Sequence, residues 1–218
     1  MENNKKYTYV MIKPYSENNA VNTEAQKVVL KEVLRRLKKQ GLTVLYQNRI
    51  QYTKEATACH YQEHVGKPFY PSLENCLLKN KAVGMVVADS NFSEDVITKV
   101  RSMAGATIKV DKKTGEIKLP EPGSIRYNMF FTLFQIKNGV ELDNVAIPEN
   151  VDDCQKVVNE KENCIDIFKD GNQICKMYMT ENLIHTSSSV AEAENEISNF
   201  FNLCQNKIKE RNEKEQEL

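Results

Sequence analysis

Residues 82–88 read Ala-Val-Gly-Met-Val-Val-Ala, an almost wholly apolar run far too short to span a bilayer. A run of this kind is the pattern of a strand covered on both faces, so it predicts the centre of a sheet. The rest of the chain has to supply that strand with neighbours on either edge and layers above and below.

Residues 7–12 have the composition of a first strand, which ends at Lys13-Pro14 because proline removes the next ladder donor. From residue 23 to 40, Ala25, Val28, Val29, Val33, Leu34 and Leu37 recur at helical spacing, with basic residues late in the segment and Gly41 as its stop. Alternation around Val44, Tyr46 and Ile50 makes 42–52 a second strand, and Thr53 opens a helical stretch through His60-Tyr61. A short helix over 69–78 precedes the apolar strand. After it, Ser93 is an N-cap with Glu94 and Asp95 in the first turn, Val96, Ile97, Val100 and Met103 share a face, and Gly105 ends that helix. Asp-Lys-Lys-Thr-Gly at 111–115 marks a hairpin within 108–119, and 123–126 reads as a loop.

Residues 127–181 form a separate episode. Residues 127–136 are aromatic and strand-like, 151–158 read as one or two helical turns, and 165–179 as a hairpin around Lys169-Asp170-Gly171-Asn172. With that episode removed, the order β-α-β-(αα)-β-α-β predicts an α+β, ferredoxin-like βαββαβ sandwich with a four-stranded antiparallel sheet, carrying an inserted β-rich subdomain. The expected division is 1–126 with 182–205 as the main domain, 127–181 as the insertion, and 206–218 as a charged tail.

Thirty basic residues balance thirty acidic ones, so no bulk field recommends nucleic acid or an anionic membrane as a partner. The six cysteines are irregularly spaced without a CxxC pair and read as reduced thiols. The first residues run into a strand without an apolar signal core, and the expected compartment is the cytoplasm.

Chemistry is concentrated at 182–196. Apolar residues lead into His185, three serines follow, and an acidic helical segment begins, so the histidine stands at the end of a strand. Ser187, Ser188 and Ser189 each suit an N-cap, and Glu196, two turns into the helix, is placed to lean back and orient the imidazole.

Several segments, taken together and in order, resemble nucleoside diphosphate kinases: 9–14 with Lys13, His60-Tyr61, 67–71, 83–87, 101–107, 123–126, and 182–196. The resemblance implies a ping-pong exchange in which His185 takes the terminal phosphate of a nucleoside triphosphate such as ATP, becomes phosphohistidine, and passes the group to a nucleoside diphosphate. It implies that Lys13 and Tyr61 meet the transferred phosphate, that Arg101, Thr107 and Arg126 hold the others, and that Lys13 and Asn182 bind the sugar. It places Phe69 against the base and puts Ser187 and Glu196 in the network around the histidine. It also implies Mg2+ arriving with the nucleotide, and a homo-oligomer built on a dimer through the first helix and second strand. His60 and His64 read as structural or surface positions. The sequence departs from the family pattern at Tyr15, Lys67, Thr186 and Ser188; Thr186 replaces a glycine, and a β-branched residue there is costly if the backbone needs positive φ. A second reading keeps the fold and nucleotide binding in a weakly active scaffold.

Overall fold

A computed structural model describes residues 7–14, 16–17, 20–21, 23–89, 95–180 and 182–216. The Tyr15, Ser93 and Glu94 expectations lie outside these residues. The chain divides into two compact units, 1–100 with 184–218, and 101–183.

The first unit is built on a four-stranded antiparallel sheet: β1 (Tyr7–Ile12), β2 (Leu42–Ile50), β3 (Ala82–Asp89) and, much later, Ile184–Thr186. The last strand pairs with β1, β1 with β3, and β3 with β2, the order of a ferredoxin-like sheet. All eight residues of β3 are buried, as the apolar run required. α1 (Thr23–Lys39) buries Ala25, Gln26, Val29, Val33 and Leu37. Gln26 Nε2 donates to the carbonyls of Lys13 (3.3 Å) and Lys81 (3.0 Å), tying this helix to the end of β1. α2 (Lys54–His60) starts at Thr53, whose hydroxyl accepts from Ala56 N–H, and α3 (Tyr70–Lys79) follows. Tyr9, Met11, Ile50, Tyr52, Leu73, Leu77, Val86 and Phe200 form one apolar cluster against the sheet. A Cβ on Gly84 would lie 2.5 Å from the Tyr9 hydroxyl and 2.6 Å from the Phe200 ring, so only glycine lets these groups approach β3.

α4 (Val96–Ala104) is entered at Asp95, whose carboxylate accepts from Thr98 N–H (3.2 Å), and it stops at Gly105, φ 83°. In the second unit, Lys109–Val110 pairs with Ile117–Lys118 as the hairpin signal required.

The strand reading of 127–136 is overturned: α5 (Ile125–Lys137) is a helix, with Ser124 as N-cap accepting from Tyr127 N–H. Its residues favour strands intrinsically, but eight of them from Ile125 to Leu133 are buried, so the helix lacks the amphipathic period that reveals one in a sequence. The helical turns read at 151–158 are also corrected. Gln155–Asn159, β4, is an edge strand of a three-stranded antiparallel sheet with β5 (Cys164–Lys169) and β6 (Asn172–Tyr178). The hairpin between β5 and β6 turns at Asp170 (φ 50°) and Gly171 (φ 78°), the Asp-Gly chemistry of a tight hairpin turn. α5 packs against β6.

The final strand of the first unit, Ile184–Thr186, is β7, and α6 (Val190–Gln216) carries the helix through the charged segment. No helix among the described residues is long and apolar enough to cross a membrane.

Candidate active site

β7 pairs with β1 in the register Val10 with Thr186, Met11 with His185, and Ile12 with Ile184, which fixes the histidine beside the central strands. One residue on, Ser187 N–H donates to Tyr9 C=O (3.2 Å), and Tyr9 N–H donates to Ser187 Oγ (3.1 Å). The chain then enters α6 at Ser189, whose hydroxyl accepts from Glu192 N–H (3.1 Å), while Ser188 N–H and hydroxyl both donate to the Glu192 carboxylate. Capping thus falls to Ser189, and Ser187 is left for the interior.

Glu196, two turns into α6, reaches back as the sequence predicts. Its Oε1 lies 2.5 Å from His185 Nε2, and its Oε2 accepts from Ser187 Oγ–H at 2.7 Å. Its side chain is fully buried, whereas that of His185 keeps 13% exposure. Burial pushes the Glu196 carboxyl up to about 7, against the opposing effects of His60 and the Ser187 hydroxyl. The carboxylate is thus within hydrogen-bonding reach of His185 Nε2. Donor atoms of His60, His185 and Glu196 all lie within 4.8 Å of one another.

Two further predicted residues join the histidine. The Tyr61 ring is 5.3 Å from the His185 ring in an edge contact, and the buried Lys13 ammonium lies 5.8 Å from the Tyr61 centroid. Phe69 is 44% exposed and meets the His64 ring at 5.3 Å; His64 in turn stacks on Tyr61 at 5.8 Å. Lys67 Nζ contacts His64 Nδ1 at 3.2 Å.

In the second unit, Gly105 gathers the predicted phosphate residues. Its N–H donates to Arg101 C=O in the last turn of α4, and its carbonyl accepts from the Arg126 guanidinium; Thr107 follows two residues later. Arg126, read as a loop residue, is buried in the first turn of α5, while Arg101 is exposed. Asn182 is buried with its Oδ1 lacking a hydrogen-bond partner, next to Leu183 in left-handed backbone (φ 67°).

A family model described as nucleoside diphosphate kinase matches residues 6–137. The chain belongs to the nucleoside diphosphate kinase family. Curated relatives called nucleoside diphosphate kinase include those of Methanosarcina acetivorans and Methanosarcina mazei, each 38% identical over 112 residues, or 51% of this chain and 66% of the relative. A Pyrococcus abyssi relative is 36% identical over 125 residues, 57% of this chain and 66% of its own. A crystal structure of a nucleoside diphosphate kinase family protein from Babesia bovis superposes with TM-score 0.51 at 18% identity, covering 89% of this chain and 86% of that one, a likeness of fold. The family match runs through α5 and stops before Asn182, His185, Ser187 and Glu196.

Among the family departures, Thr186 is buried within β7 and is not a positive-φ residue, so its β-branch meets no backbone penalty there. The residue the sequence reading missed is His60. It is buried, its Nε2 is 3.2 Å from Glu196 Oε1, its Nδ1 is 3.3 Å from the Tyr52 hydroxyl, and its ring is 4.8 Å from that of His185. The available signal was spacing: Ala56, Thr57 and His60 form the buried stripe of α2.

Proposed function

We propose that this chain is a nucleoside diphosphate kinase that moves the terminal phosphate of a nucleoside triphosphate such as ATP to a nucleoside diphosphate through a phosphohistidine at His185. The observation that carries the reading is the His185–Glu196–Ser187 arrangement. A carboxylate beside Nε2 stabilises the tautomer with the proton on Nε2, which puts the lone pair on Nδ1. Nδ1 attacks the terminal phosphorus, the N–P bond forms as the bond to the bridging oxygen breaks, and the diphosphate departs. Glu196 stabilises the positive charge that grows on the imidazole, and Ser187 holds Glu196 from its other oxygen. The second half of the cycle reverses these steps with an acceptor diphosphate.

In this reading Lys13 and Tyr61 meet the transferred phosphate, and Arg101, Thr107 and Arg126 take the remaining phosphates. Phe69, exposed beside His64, offers the base a stacking face that tolerates any base edge. The partnerless Asn182 Oδ1 and the Lys13 ammonium suit sugar hydroxyls. Magnesium would be held by the nucleotide phosphates and water, since Glu196 is committed to His185 and Ser187; when bound it neutralises phosphate charge. We also assign a homodimer, using α1 and β2, as the minimal unit, 127–181 as an insertion and the cytoplasm as compartment. The scaffold reading leaned on the 127–181 insertion as a partner-binding surface and on Thr186, and the strand backbone of Thr186 removes the second of these supports.

Incubation with γ-labelled ATP tests the proposal. The wild-type protein is expected to form an acid-labile, alkali-stable phosphoprotein that ADP discharges, and His185→Ala to form none while retaining its fold and most nucleotide affinity. Equal labelling of the alanine variant would show that another residue is the nucleophile.

A further inference from the structure

Glu196 Oε1 stands between two imidazoles, His185 Nε2 at 2.5 Å and His60 Nε2 at 3.2 Å, and both Glu196 and His60 side chains are fully buried. The position of His60 is enforced by its backbone neighbours: Asn199 Nδ2 donates to Ala56 C=O (2.9 Å) and Asn195 Nδ2 to Cys59 C=O (3.3 Å), pinning α2 to α6. His60 Nε2 has no formed hydrogen bond, and its approach to Glu196 is the 3.2 Å contact alone. Burying an imidazole N–H on these terms is unfavourable beside an apolar ring of similar size, so packing alone does not account for a histidine here. Its opposite nitrogen is met by Tyr52, whose hydroxyl lies 3.3 Å from that of Tyr9, so a chain of phenols ends on the imidazole.

We propose that His60 is a positioning residue for phosphoryl transfer: a neutral imidazole, held in the Nε2–H tautomer by the Tyr52 hydroxyl, whose N–H dipole keeps Glu196 anionic and aimed at His185. This rests on the phosphohistidine reading above. The tautomer follows from the carboxylate, because an Nε2 lone pair facing an anionic Oε1 would be repelled, whereas Nε2–H is attracted at 3.2 Å in a low-dielectric interior. Burial moves His60 down to about 3, with the charge of His185 acting in the same direction, so it works as a dipole and not as a cation. The groups facing Glu196 oppose one another. Burial, Glu192 and Glu63 favour its neutral form, while the Ser187 hydroxyl favours the anion, as would a charge on His60. The Tyr9 and Tyr52 phenols feel the same carboxylate, and Lys13 acts on His60. Removing the His60 dipole therefore favours protonated Glu196, whose neutral carboxyl no longer offsets the positive charge that grows on His185.

The test measures single-turnover phosphoenzyme formation from ATP in the full chain across about pH 6 to about pH 9. His60→Phe is expected to raise the acid midpoint by about one pH unit, costing about tenfold more rate at the acid end than at the alkaline end. Tyr52→Phe should move the midpoint the same way, and His60→Gln, which restores an N–H, should bring it back. Nitrogen-15 NMR of histidine-labelled wild-type protein is expected to show His60 neutral and Nε2-protonated throughout, a readout that needs no variant to fold. Midpoints unshifted in folded His60→Phe and in Tyr52→Phe, or an Nδ1–H tautomer for His60, overturn the inference while phosphoenzyme formation stands. A wild-type protein that takes up no phosphate overturns the phosphohistidine reading and this inference with it.

Discussion

Replacing Glu196 by glutamine should stabilise the protein at alkaline pH while disabling it. In the folded chain the carboxyl is raised from 4.5 to about 7, chiefly by burial. A carboxyl raised in the folded state favours folding below its unfolded pKa, and that contribution is lost as pH rises through the folded value. The full shift corresponds to about 3 kcal/mol, of which about 2.5 kcal/mol falls between pH 5 and pH 8. Glutamine is nearly isosteric and can keep both contacts: its carbonyl accepts from His185 Nε2–H, and its amide donates to Ser187 Oγ, which already accepts from Tyr9 N–H. It carries no ionisation. Urea unfolding of both proteins from pH 5 to pH 8 should therefore show the variant gaining on wild type by about 2.5 kcal/mol, or about 5–10 °C in Tm for a chain of this size. Taking the difference between the proteins cancels His60, whose depressed value adds an opposite slope to both: stability lost as pH falls below its unfolded range toward about 3. Phosphoenzyme formation in the variant should fall by about two orders of magnitude, since a neutral amide does not stabilise the developing imidazolium. Parallel stability profiles would refute the buried-carboxylate argument, and a wild-type phosphorylation rate would refute its catalytic part.

Arg101→Ala and Arg126→Ala should each cost about 2–4 kcal/mol in kcat/KM if they serve phosphates. Only Arg126→Ala should also lower Tm, because Arg126 is buried and holds the Gly105 carbonyl while Arg101 is exposed; equal melting of the two variants would contradict this. For assembly, the edge strand β2 exposes Leu45 (49%) and Tyr46 (41%), and Tyr46 lies 5.1 Å from the Phe201 ring, which is 37% exposed. Light scattering should give at least two subunits, and Leu45→Lys combined with Tyr46→Lys should dissociate them; a monomeric wild type would refute the dimer.

Local patterning alone was enough for the first three strands of the main sheet and for α1, α2 and α3. The apolar run at β3 implies two covered faces, the heptad-like spacing of α1 implies one, and strand, serine cluster and acidic helix place Glu196 behind His185 because two helical turns bring it back beside the strand end. The Asp170-Gly171 turn was legible for the same reason, since positive φ selects its residues locally. Tertiary structure decided what local preference could not. α5 is helical despite β-rich composition, because Ser124 caps it and neighbours cover nearly every side, erasing the amphipathic signal. Which of three adjacent serines caps α6 depends on where Glu196 and Tyr9 lie, and both claim Ser187. His60 and Glu196 are far apart in sequence, and only the packing of α2 on α6 sets one beside the other, removes water from both, and thereby determines their charge states.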